Sequence, residues 1–343
     1  MKPAWLQQRE RGSIFGLRVG VVIAFFFGRK LTRLILYPVC LYFVLFSVKS
    51  RRASRDYLSR VLPHAPRFSD LFRHYLTFAT VALDRFFLLN NRYELYDIEV
   101  HGAEILQQTL DSGQGCLLLG AHIGSFEILR AAGTAHDLKI AMVMYEDNAR
   151  NINTVAKDVD PDARTRIIQL GRVDSMFKVY ERLQQDAWVG MLADRILPGG
   201  EQMPADFLGD TASFPTAPYR IALMLRRPVL FMTGLYRGAN RYELHFEKLF
   251  DAQAVRRTAR VAAAEQALQQ YARRLEHFCR IAPYNWFNFY DFWHAGAPKG
   301  TPIHRDYLAK QAGAAFPGKA HDAQAADGLC VDQPALHPPS YRN

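Results

Sequence analysis

His122 is the residue around which chemistry can be built. It stands in the run Cys116-Leu-Leu-Leu-Gly120-Ala-His122-Ile-Gly124-Ser125-Phe-Glu127-Ile-Leu-Arg130. Four apolar residues from Cys116 to Leu119 predict a short buried strand, Gly120 and Gly124 a loosened turn, and Ser125 the N-cap of a helix reading FEILRAAG. His122 then lies at the carboxyl end of a strand, where open α/β sheets bind their ligands. Glu127, five positions on, falls in the first helical turn, whose positive end helps keep it ionised. A turn between the two folds its carboxylate back onto the imidazole. A carboxylate on Nδ1–H fixes the tautomer, stabilises the imidazolium and leaves Nε2 to take a proton from an attacking hydroxyl or amine. The competing structural reading is a hydrogen-bonded turn histidine. No G-x-S-x-G surrounds Ser125, which argues against a serine hydrolase, and neither H-E-x-x-H nor a second clustered histidine supports a metal. The expectation is a dyad that needs no metal and no tightly held cofactor.

The elements that must position this dyad read as α/β. After His101-Gly102 a helix (AEILQQTLDSGQ) leads into the Cys116 strand. Strands follow near 142–145, at Trp188–Leu192, Val229–Leu235 and Tyr242–Leu249, with helices near 173–185, 218–226 and 258–280. Strands separated by helices predict a largely parallel central sheet flanked by helices. Upstream, RRASRDYLSRVLP and FSDLFRHYLTFATVALDRFFLL space their apolar residues by three and four, as amphipathic helices do.

The chain has 343 residues, 49% of them hydrophobic and 22% charged, which excludes a disordered chain; 22 Gly and 17 Pro without periodicity exclude collagen-like and simple repeat folds. Four dispersed cysteines with no C-x-x-C suggest neither a zinc site nor a disulfide framework. The net charge of +10 is concentrated: residues 1–60 carry twelve Lys/Arg against two acids, and the remainder balances at 31 of each sign. That excess brackets two uncharged apolar runs, Val19–Gly28 and Leu34–Val48. Such a distribution points to anionic membrane lipid and not to nucleic acid. Both runs are short of the ~20 residues that span a bilayer. They read as a tilted single span or as a pair of helices in the interface, with Pro38 bending the second. The expected organisation is a membrane-anchoring segment at 1–50, a catalytic domain at 51–305 and a flexible tail at 306–343.

These residues resemble the H-x-x-x-x-D/E acyltransferases, and within them the bacterial lipid A biosynthesis (late) acyltransferase branch of the lysophospholipid acyltransferase superfamily. His122-Ile-Gly-Ser-Phe-Glu127 is similar to the signature in its Glu version. Gly190-Met-Leu-Ala-Asp194-Arg195 resembles the strand that ends in an acidic residue, and Phe207-Leu208-Gly209 with Ala212-Ser-Phe-Pro215 resembles the Phe-Phe-Gly and Pro block. The resemblance covers roughly residues 10–300. It implies transfer of a fatty acyl group from a thioester, on acyl carrier protein (acyl-ACP) or coenzyme A (acyl-CoA), to a hydroxyl or amine of a lipid acceptor, at the cytoplasmic face of a bacterial inner membrane. His122 is then the general base and Glu127 its orienting partner. Backbone N–H groups after Gly124 are candidates for the oxyanion, and Arg164 or Arg166 for the oxyanion, an acceptor phosphate or the phosphopantetheine. Asp194 and Arg195 are either an ion pair at the strand end or part of the site wall. Phe207 and Gly209 form a turn on the acceptor side or a plain hairpin.

Two blocks depart from the lipid A enzymes. Asp194-Arg195 replaces an acidic-Gln-acidic text, and Pro283-Tyr-Asn285-Trp286-Phe-Asn288-Phe-Tyr-Asp291-Phe-Trp293 replaces a Trp/His/Arg-Phe-Lys block. With Asn240-Arg-Tyr-Glu-Leu-His245 this variant looks more like the subgroup that accompanies aryl-polyene lipid clusters. The aromatic block either rims an acyl tunnel, sits at the membrane surface or packs in the core. Two other function classes use the same features: a thioesterase or lipid hydrolase built on the same dyad, and a catalytically silent membrane-docked binding protein.

Overall fold

A computed structural model describes residues 14–129, 140–145, 167–170, 175–197 and 199–293. Three helices come first: α1 (Ile14–Phe46), α2 (Val48–Val61) and α3 (Phe68–Leu89). There follow β1 (Asp97–His101), α4 (Ala103–Asp111), β2 (Leu117–Gly120), β3 (Ile140–Tyr145), β4 (Ile167–Leu170), α5 (Ser175–Gln184) and β5 (Trp188–Leu192). The hairpin β6 (Gln202–Phe207) and β7 (Asp210–Pro215) precedes α6 (Ala217–Leu225), β8 (Pro228–Gly238), β9 (Arg241–Asp251) and α7 (Arg260–Ile281). The described residues all fall within one compact unit, Met1–Ala297, and the tail expected at 306–343 lies outside them.

The expected mixed α/β architecture is present. Seven strands are ordered β1-β9-β8-β2-β5-β3-β4, and every neighbouring pair is parallel except β8 and β9. A sheet covered on both faces needs strands that are apolar throughout, and β2 meets this with Leu117, Leu118 and Leu119, all fully buried. Leu117 and Leu119 join the core that holds Phe231, Tyr271 and Phe278, while Leu118 joins the opposite core with Leu88, Leu106 and Phe246. The segments read at 103–114, 116–119, 142–145, 173–185, 188–192, 218–226, 229–235, 242–249 and 258–280 are found, shifted by a few residues at their ends, whereas the helix read as FEILRAAG runs into residues 130–133, outside the described residues. Edge strands β1 and β4 were not among the strands read from periodicity, and the hairpin offered as one reading of Phe207–Gly209 is the β6–β7 pair.

In the N-terminal region the bend expected at Pro38 is found at Gly28 instead. α1 breaks at Gly28 (φ 75, ψ 169), while the chain keeps helical dihedrals through Pro38. Glycine reaches that conformation at little cost, and the break turns Arg29 inward. Its Nε and a terminal nitrogen donate to the two oxygens of buried Asp84 at 2.6 and 2.8 Å, and Tyr242 Oη donates to Oδ2 at 2.7 Å. The rest of α1 offers large apolar side chains outward, among them Phe26 (81% exposed) and Val22 (67%). Among the described residues no single helix is long and apolar enough to cross a membrane; residues Gly20–Phe46 and Val48–Val61 pass that test only together, bent by 94°.

Candidate active site

Register builds the site. β2 and β5 run parallel with Gly120 opposite Leu192, and Ala193 N–H continues the ladder by donating to Gly120 O at 2.9 Å. Two residues past each strand end, His122 and Asp194 therefore stand side by side at the carboxyl edge of the sheet. Asp194 grips the histidine twice. Its Oδ1 lies 2.7 Å from His122 Nδ1, and its Oδ2 accepts the His122 backbone N–H at 3.0 Å. Trp286 Nε1 and Asn288 Nδ2 also donate to Oδ2, at 3.1 and 2.8 Å.

Asp194 is fully buried. Burial alone raises a carboxyl pKa, but the attraction and hydrogen bonds of His122, together with the Arg195 guanidinium, outweigh it and hold Asp194 well below the usual range. The His122 imidazole is moved down from its ordinary value, first by burial and next by the Arg195 cation, against the opposing pull of Asp194. At neutral pH the pair is thus a carboxylate beside a neutral imidazole. The proton between them belongs on Nδ1, which leaves the lone pair on Nε2. No described residue bonds to Nε2.

The dyad expected between His122 and Glu127 is not the arrangement found. The carboxylate on Nδ1 is that of Asp194, 72 residues away, and Glu127 Oε1 instead meets Arg85 Nε at 2.6 Å. The reason is local. Residues 126–128 form a bend and turn in place of the first helical turn expected, and Glu127 is directed to α3. The Ser125 hydroxyl, expected as a cap, is buried without a hydrogen-bond partner among the described residues.

A second segment clamps the turn from the other side. Gly124 N–H donates to Asn285 O at 2.8 Å, Phe287 N–H to His122 O at 2.7 Å and Ser125 N–H to Gly234 O at 2.8 Å. The Ser125 N–H is therefore engaged within the fold, which removes one of the backbone donors expected after Gly124 for an oxyanion. Gly124 has φ +60, and a Cβ there would meet Gly234 O at 2.0 Å, so the close approach requires glycine. Asn285 completes the clamp: its amide donates to Tyr236 O and accepts from Tyr236 N–H. His74 holds the same segment from α3, with Nε2 2.8 Å from Trp286 O and Nδ1 2.7 Å from Ser54 Oγ. Burial pushes its pKa down to about 4.

Arg195 donates from Nε to Asn288 Oδ1 at 2.7 Å and from a terminal nitrogen to Phe287 O at 3.0 Å. Asn288 therefore bridges Arg195 and Asp194. Phe207 is fully buried among Phe214, Trp286, Phe292 and Trp293, and Leu208 and Gly209, both at positive φ, close the β6–β7 hairpin. Those residues make a hairpin turn. The aromatic block is core, with Trp286, Phe287, Tyr290, Phe292 and Trp293 all buried. Arg164 and Arg166 lie outside the described residues.

Sequence reasoning missed Asn285, Asn288 and His74 as supports of the site. Two asparagines inside an aromatic run were the available signal, because a buried amide needs partners.

A sequence model of the family described as bacterial lipid A biosynthesis acyltransferase matches residues 2–295. Among solved structures, the crystal structure of the 1-acyl-sn-glycerophosphate (LPA) acyltransferase PlsC from Thermotoga maritima is similar over 72% of this chain and 97% of that chain, at 16% identity and a TM-score of 0.34. No curated protein matches.

Proposed function

The chain belongs to the bacterial lipid A biosynthesis acyltransferase family and is a lipid acyltransferase, and from that premise we propose which groups carry the transfer and where. The acyl chain comes from a thioester, acyl-ACP or acyl-CoA, and goes to a hydroxyl or amine of a lipid or glycolipid acceptor of the lipid A or aryl-polyene type. His122 Nε2 takes the proton of the acceptor group as its oxygen or nitrogen attacks the thioester carbonyl. The imidazolium forms beside a carboxylate that is already charged, so Asp194 stabilises it without moving. Collapse of the tetrahedral oxyanion breaks the carbon–sulfur bond, and the departing thiolate recovers the proton from Nε2. Arg195, beside the dyad, and Arg164 or Arg166 are the cations offered to the oxyanion or to a substrate phosphate.

The Arg85–Glu127 pair fixes the turn that follows His122. Phe207 and Gly209 act at a distance, by holding the aromatic core under Asp194. Attachment to the cytoplasmic face of the inner membrane rests on the apolar exterior of α1 and the basic residues that flank it. Removing residues 1–50 would strip Arg29 from Asp84, so the cleaner probe of attachment is Val22→Glu with Phe26→Glu.

The observation that carries the reading is the 2.7 Å contact between His122 Nδ1 and a buried carboxylate, with Nε2 left for chemistry. The test is lipid acylation by wild type and by His122→Ala at matched folding and membrane content. The variant is expected to lose about 10²–10⁴ in rate. Unchanged turnover would refute the assignment, and release of free fatty acid without an acylated lipid would make the protein a hydrolase.

A further inference from the structure

At the edge of the sheet, three strands' width from the β2 end that carries His122, the β1–β9 pairing creates a second cluster of imidazoles and carboxylates. The strands are parallel, with Glu99 opposite Glu243 and His101 opposite His245. Alternation places all four on one face. The His101 and His245 rings stack with centroids 4.4 Å apart and planes inclined by 10°. One ligand atom from each of His101, Glu243 and His245 lies within 4.8 Å of the others.

We propose that His101, Glu243 and His245 form a binding site for a divalent transition-metal ion of the zinc type, which staples edge strand β1 to β9. Two imidazole nitrogens and one carboxylate oxygen are a donor set that zinc accepts, with water or the nearby Glu99 in the fourth position. A tetrahedral ion needs its ligand atoms about 3.4 Å apart. The His101 side chain, 42% exposed at the sheet edge, is free to rotate and supply the contraction, whereas His245 is held against the Phe278 ring.

The contacts now made by these groups leave them available. His101 Nε2 stands 3.4 Å from Glu99, and His245 Nε2 stands 3.4 Å from Glu243 Oε2. The imidazole–carboxylate bond at His122 measures 2.7 Å, so neither of these is a well-formed hydrogen bond. Arg237 engages Glu243 through Oε1 at 3.0 Å, and Oε2 remains directed at the histidine. The sequence offers no metal motif here because the donors come from two strands more than 140 positions apart, joined only by register.

The site is tested on the untagged, full-length, detergent-solubilised protein by calorimetric titration with zinc chloride and by the visible spectrum of added Co²⁺. Wild type is expected to bind one zinc ion saturably at this site, and to give the absorption bands of low-coordinate Co²⁺. His101→Ala, which removes an exposed edge side chain, and the isosteric Glu243→Gln should each weaken that binding at least about tenfold, since losing a ligand costs no less than losing an outer-shell partner. Absence of saturable binding, or binding equal in wild type and both variants, overturns the proposal. Neither readout depends on acyl transfer, so the result stands apart from the fate of the dyad.

Discussion

Two fully buried aspartates organise this protein, and their partners decide what each can do. Asp84, on α3, is met by the Arg29 guanidinium and the Tyr242 hydroxyl. Asp194, past the end of β5, is met by an imidazole, an indole, an amide and a backbone N–H. Arginine stays charged at any accessible pH and presents its fork to both oxygens, so Asp84 makes a permanent staple between α1 and the body. Histidine can be neutral, and it bonds Asp194 through only one of its two nitrogens. The same anion thus gives a fastening in one place and a poised base in the other.

The sharpest way to break this comparison is an isosteric change at Asp194. In Asp194→Asn an amide NH₂ can face Nδ1, driving the imidazole proton to Nε2 where the base must be vacant. The transfer rate should fall by about 10⁴ while the fold persists. The pH profile carries the sign. The base works when neutral, so kcat/KM rises with pH through the His122 pKa, which lies below its ordinary value. Asp194 pulls that pKa upward, so removing its charge moves the acid limb of the residual activity to lower pH. Glu127→Gln, which loses the Arg85 ion pair, should leave the limb where it is. Kinetics of both variants across pH would exchange the roles of the two carboxylates if the limb moved for Glu127→Gln alone.

Asp84→Asn is the matching change on the other side. It leaves the Arg29 guanidinium buried without its counter-charge, and removing one member of such a pair costs about 3–5 kcal/mol. Thermal unfolding should show that loss, while the dyad itself keeps its hydrogen bonds. A variant as stable as wild type would mean that Arg29 and Asp84 do not fasten α1.

How much of this was legible follows the range of the interactions. The strand ending before His122, the strand ending before Asp194 and the helix α5 ahead of the second are local patterns, and they were read. So was the chemistry of an imidazole held by a carboxylate. Which carboxylate was not legible, because Glu127 is near in sequence and Asp194 is near only after β2 and β5 pair in register. Strand β1 escaped for a related reason: Asp97–His101 alternates polar and apolar residues over only five positions at an edge, and its partner β9 lies more than 140 positions on. The break at Gly28 and the intact helix at Pro38 reverse the usual ranking of helix breakers; what decides it is the inward turn of Arg29, whose partner lies 55 residues on. The aromatic run 284–293 gave a composition without a location.

His74 extends the comparison to an imidazole with no carboxylate and both nitrogens occupied. Such a residue can only be structural, and its signature is in stability and not in rate. Its pKa is pushed down to about 4 by burial, whereas in the unfolded chain it titrates near 6.5. Below that upper value the unfolded state binds a proton that the folded state refuses. The stabilisation is therefore complete above pH ~6.5 and is lost as pH falls toward 4, by up to about 3 kcal/mol. Replacing it in His74→Gln should lower stability at neutral pH by about 1–3 kcal/mol, through the partners left at Ser54 and Trp286. The same change should flatten the acid slope between pH 6.5 and 4 relative to wild type. Denaturant unfolding at several pH values reads both quantities. A slope unchanged in the variant would place the acid sensitivity elsewhere, and with it the view that this third imidazole serves only to hold the Trp286 segment beneath Asp194.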